Sequence, residues 1–198
     1  PVGTNAGDLL FADALKTRAL WILMAVQFMY GMVGTGLGIH RIPFLSDRGL
    51  DESSLSTVLI IVAVSMVIGA YFWGMLATKF SGNVVLSMNL LGLSATVLLL
   101  MNVSTPQFAY FYAFLDGLMI SGSQILMLVI MANYFGRSIL GRIRGITTPV
   151  WNAGFALGPL YAGLVYDISN SYTFAFVTFV GLAFVAGILA CGATKPKI

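Results

Sequence analysis

Six windows of roughly 20 residues or more, each without a Lys or Arg and each closed by charged or turn-forming residues, confine this chain to very few folds. A helix rises about 1.5 Å per residue, so each window suffices to cross a hydrocarbon layer roughly 30 Å thick. They lie at about 19–39, 54–78, 84–101, 107–134, 145–166 and 172–193. Lys16 and Arg18 precede the first, and His40-Arg41-Ile42-Pro43 follows it. Asp51 stands as an N-cap before the second. The uncharged stretch from Phe80 to Leu115 is divided at Asn102-Val103-Ser104-Thr105-Pro106, with Thr105 as N-cap and Pro106 at the first helical position, where its missing N–H costs nothing. No run of about ten residues alternates apolar and polar, which excludes a membrane barrel. The expected fold is therefore all-α: a polytopic six-helix transmembrane domain over 19–194, with a segment over 1–18 before it and a tail over 195–198 after it.

Composition excludes the other broad classes. With 59% hydrophobic and 9% charged residues, the chain cannot cover the surface of a soluble domain, nor has it the polarity of a disordered one. The net charge of +3 is too small and too scattered for a nucleic-acid partner. One cysteine, Cys191, and one histidine, His40, make no metal-ligand cluster, and no cofactor is expected. Six spans put both termini on one side, which takes Lys16, Arg18, Lys79, Arg137, Arg142, Arg144, Lys195 and Lys197, against Arg41 and Arg48 on the other. The basic excess marks the side of the termini as cytoplasmic, in a cell-membrane protein whose neighbours are lipid.

One carboxylate, Asp116, falls inside a window, ten residues after Pro106 and hence about 15 Å into the layer. A carboxylate at that depth faces a wet cavity, finds a partner, or takes up a proton, and each of these serves a transporter. No Lys or Arg inside any window is at hand to pair with it. Gln27 and Tyr30 lie one turn apart, and Ser123 lies on nearly the face of Asp116, so the four are the candidate substrate- or proton-binding residues. Gly154 and Gly158, followed by Gly163, form a ridge of small residues for close helix packing, and Pro159 adds a bend. Enzyme chemistry finds no support. His40 lies at a rim, the one glutamate, Glu52, lies in a connection, and a second buried carboxylate is missing. No re-entrant glycine-rich loop suggests a channel filter.

Taken together, six spans, a basic second-to-third connection and a glycine-proline fifth span resemble the carboxyl half of a major facilitator superfamily transporter, over essentially the whole chain. Gly74-Met75-Leu76-Ala77-Thr78-Lys79 is similar to the superfamily's cytoplasmic loop motif, with Thr78 in place of its acid. Tyr134-Phe135-Gly136-Arg137 and Gly141-Arg142-Ile143-Arg144-Gly145 resemble the segment before the eleventh helix in bacterial members near the monocarboxylate and oxalate/formate branch. The resemblance implies two inverted three-helix repeats and a second, amino-terminal six-helix half as partner. It implies alternating access for a small organic solute, a monocarboxylate-type anion among the candidates, with proton coupling as one mode. Gly74, Lys79, Arg137, Arg142, Arg144, Gly154, Gly158 and Pro159 become the gating or conformational residues. Multidrug or cation efflux by the same fold, and a non-transporting membrane assembly subunit, are the alternatives.

Overall fold

The computed structural model describes residues 11–196, so residues 1–10 of the expected leading segment and Lys197 and Ile198 of the tail lie outside the described residues. Within them the chain is helical, without strands. A short α1 (Phe11–Ala14) precedes six long helices: α2 (Arg18–Asp47), α3 (Glu52–Lys79), α4 (Gly82–Met101), α5 (Pro106–Phe135), α6 (Leu140–Ser169) and α7 (Thr173–Gly192). Thr17 caps α2 by accepting from the Leu20 N–H at 3.4 Å, and Thr105 caps α5 by accepting from Phe108 at 3.3 Å, with Pro106 in the first turn. Asp51 precedes α3 but accepts from the Ser54 hydroxyl at 2.6 Å rather than capping with its side chain, and that hydroxyl holds its carboxyl below the usual carboxylate range.

Five helices, α2, α3, α4, α5 and α7, are long and apolar enough to cross a membrane. The sixth, α6, has the length but spends residues on Arg142, Arg144, Thr147, Thr148, Asn152, five glycines and two prolines, which lowers its hydropathy. Two helix ends differ from expectation. The first helix runs on past Ile39, through Pro43, to Asp47, and α6 begins at Leu140 rather than 145. His40 and Arg41 are consequently part of the helix rather than of the connection that follows it. The His40 Nε2–H donates to the Pro159 carbonyl at 3.0 Å, and Arg41 is 4% exposed.

The main helix pairings are α3 with α5, α2 with α6 and α4 with α7, followed by α4 with α5 and α2 with α7. Exchanging the triplet α2-α3-α4 for α5-α6-α7 turns each of these pairings into another of them or into itself. Short connections make successive helices antiparallel, so the two triplets run through the bundle in opposite senses.

Glycine sets the closest approaches. A Cβ on Gly154 would strike the Phe28 carbonyl and one on Gly158 the Met32 carbonyl, both on α2, while one on Gly117 of α5 would lie 2.5 Å from the Val62 carbonyl of α3. The small ridge of α6 is completed by the fully buried Ala162, and Gly163 stands beside it with only His40 nearby. Pro159 cannot donate to the Phe155 carbonyl, and the Thr35 hydroxyl of α2 reaches that carbonyl at 2.8 Å.

Candidate functional site

A cavity of about 340 Å³ opens between α2, α4, α5 and α6, in the size range of small-molecule sites. Gln27 and Tyr30 come from α2, Leu86 and Leu90 from α4, Ser123, Gln124, Met127 and Met131 from α5, and Arg144, Thr147, Thr148 and Trp151 from α6. These belong to the leading halves of α2, α4 and α6 and the trailing half of α5, which antiparallel packing gathers at one end of the bundle. Lys79, Arg137, Arg142 and Lys195 end or begin chain segments at that same end.

Gln27, Tyr30 and Ser123 thus share one wall. Their hydrogen bonds separate them. Ser123 donates to Asn89 Oδ1 at 2.5 Å, and the Tyr30 hydroxyl donates to the Ile120 carbonyl at 2.8 Å. Gln27 Oε1 is buried without a partner among the described residues and so remains an acceptor for whatever enters. Arg144 adds a positive charge, correcting the expectation that no basic residue stands inside the fifth helical segment; it is exposed in the second turn of α6. Trp151, two turns further on, adds an aromatic surface.

Asp116 does not line this cavity. It is fully buried and held by the Arg41 guanidinium, Nη1 to Oδ2 at 2.7 Å, with Thr96 Oγ1 of α4 at 3.3 Å from Oδ1. The expectation that no cation stood near it fails because α2 extends far enough to carry Arg41 inward from a position 75 residues away. Pairing removes most of the cost of a lone buried carboxylate. Asp116 lies ten residues from the start of α5 and Arg41 six from the end of α2, so the pair sits towards the end of the bundle opposite the cavity mouth.

Between the two, three consecutive carbonyls of α5 accept from three other helices. Trp73 Nε1 of α3 donates to Leu118 at 2.8 Å, Asn89 Nδ2 of α4 to Met119 at 2.9 Å, and Tyr30 of α2 to Ile120.

Of the expected gating residues, Gly154, Gly158 and Pro159 sit on the α2–α6 crossing. Lys79, Arg137, Arg142 and Arg144 are exposed, and Gly74 has open space beside it. Sequence reasoning missed Arg41 and Thr35. The signal for Thr35 was the carbonyl four residues before Pro159, but its donor comes from 120 positions away.

Among the described residues, no three His, Cys, Asp or Glu side chains gather as metal ligands. The sequence profile described as Major Facilitator Superfamily matches residues 10–197. The 4-hydroxybenzoate transporter PcaK of Acinetobacter baylyi is 24% identical over 160 residues, which is 79% of this chain and 34% of that relative. The chain therefore matches about a third of the relative's length.

Proposed function

Since the chain belongs to the major facilitator superfamily, a family of membrane transporters rather than enzymes, we propose that it is one six-helix half of a secondary transporter for small organic anions, aromatic acids foremost. The cavity carries this reading. It joins a cation, Arg144, to an acceptor, Gln27 Oε1, that has no partner among the described residues, across an aromatic and methionine-lined wall, and no carboxylate lines it among the described residues. A hydroxylated aromatic carboxylate meets each of those groups, its carboxylate at Arg144, its hydroxyl donating to Gln27 Oε1 and its ring on the apolar wall, and the relative named for 4-hydroxybenzoate supports the same class. An organic cation finds no counter-charge there, which favours this reading over cation efflux.

In this proposal α6 is a sixth span, and a second six-helix bundle closes the open side of the cavity. Otherwise Arg144 and Thr148 would meet lipid. The basic residues at the cavity end support a cytoplasmic side for it and for both termini, in the cell membrane. Alternating access moves the solute past the opposite end, where Arg41 and Asp116 hold α2 to α5. Proton coupling runs through Asp116, because a proton there removes the charge that holds Arg41.

The test is uptake of radiolabelled 4-hydroxybenzoate into vesicles bearing the full-length protein. Wild type accumulates it, and Arg144→Gln needs roughly tenfold or more substrate for the same rate, as loss of a charged hydrogen bond requires. No uptake of this or any other aromatic acid overturns the substrate class; uptake indifferent to Arg144→Gln overturns the site.

A further inference from the structure

Tyr30 is the only one of the three donors to α5 that also lines the cavity. Trp73 and Asn89 are buried, and they flank Gly122 so closely that a Cβ there would strike both. On the other side of the pinned carbonyls, Gly117 lies against the α3 backbone at Val62 and Met66. Helices α3 and α4 therefore grip α5 by contact. Helix α2 does not: it scarcely packs against α5, and two side-chain bridges tie them, Tyr30 to the Ile120 carbonyl and Arg41 to Asp116. Both bridges land within one turn of α5, since Ile120 follows Asp116 by four residues. One starts from a residue that lines the cavity and the other lies beyond it.

We propose that Tyr30 is a positioning residue that couples filling of the cavity to the Arg41–Asp116 pair. A hydrogen bond to a charged acceptor is about twice as strong as one to a neutral acceptor, so a carboxylate in the cavity takes the Tyr30 hydroxyl from the Ile120 carbonyl, whereas a neutral amide does not. Losing that bridge leaves the ion pair as the last side-chain tie between α2 and α5, and frees the trailing part of α2 to move against α5. An anion thereby loosens the far end of the bundle from the near one. This inference takes its ligand class from the transport reading above, while the Tyr30 bridge itself stands apart from it.

Hydrogen–deuterium exchange on the full-length protein tests it, read on peptides covering residues 30–47 of α2 and 112–126 of α5. Saturating 4-hydroxybenzoate speeds exchange there about fivefold in wild type, the factor that loss of one ordinary hydrogen bond implies, and 4-hydroxybenzamide does not. Tyr30→Phe exchanges at the faster rate without ligand, and 4-hydroxybenzoate adds nothing further. Tyr161→Phe, which removes a hydroxyl bonded to Thr178 between α6 and α7, leaves these peptides unchanged and controls for loss of a tyrosine hydroxyl. In transport, Tyr30→Phe changes the maximal rate more than KM. Tyr30→Phe with wild-type exchange, or with the wild-type ligand response intact, overturns the proposal, as does a wild type that takes up 4-hydroxybenzoate without any exchange response. A wild type that neither takes it up nor responds counts against the transport reading instead, and the ligand-free comparison of Tyr30→Phe with wild type then decides whether Tyr30 holds α2 to α5.

Discussion

Arg41 Nη1 lies 2.7 Å from Asp116 Oδ2, joining two helices that otherwise hardly touch, with 5% and 0% of the two side chains exposed. A buried pair of this kind is worth little against apolar residues of the same size, but breaking it by removing one partner strands a charge.

Asp116→Asn is therefore expected to cost about 3–5 kcal/mol, and Asp116→Leu combined with Arg41→Met to recover most of it. Thermal unfolding in detergent, run as a double-mutant cycle, measures the coupling. The apolar pair is expected to fold yet to lose any pH dependence that transport draws from Asp116.

Thr35→Val removes the donor that serves the Phe155 carbonyl and is expected to cost about 1 kcal/mol. In a Pro159→Ala background the same substitution is expected to cost much less, since residue 159 regains an N–H for that carbonyl. The difference between the two backgrounds in unfolding experiments isolates the bond.

Gly158→Ala places a methyl against the Met32 carbonyl and is expected to destabilise by about 1–3 kcal/mol, because backbone cannot give way as a flexible side chain does. Gly163→Ala, five residues along the same helix, meets only His40 Cε1 at 3.9 Å and is expected to be neutral or better. Melting temperatures of the two variants settle the comparison.

Gln27→Met relieves a buried acceptor that has no partner among the described residues, and is expected to raise stability by up to about 1 kcal/mol while raising KM for 4-hydroxybenzoate. Benzoate, which lacks the hydroxyl that Gln27 Oε1 accepts in the proposed site, is expected to show a smaller rise. Competition between the two solutes for uptake reads the difference.

The all-helical fold was legible because run length alone separates a membrane helix from a strand, and Thr105-Pro106 marks a helix start by local chemistry. The end of α2 was not legible. His40, Arg41 and Pro43 read locally as a boundary, and only Pro159 and Asp116, both distant in sequence, make it favourable to carry them inside. The same reason hid Arg41 as a partner of Asp116. Helical spacing set Gln27 beside Tyr30, but nothing local could say that Ser123 joins them while Asp116 turns away. Arg144 was visible as a loop charge and became a cavity residue because α6 starts five residues earlier than its apolar run.

The pairing of helices survives exchange of the two triplets, and those triplets point in opposite directions. Turned upside down, such a scaffold keeps the same set of helix pairings. In the proposed orientation the basic side chains at helix ends are what the membrane reads, so moving a few of those surface charges to the other end is expected to turn the bundle over while leaving the helix pairings in place.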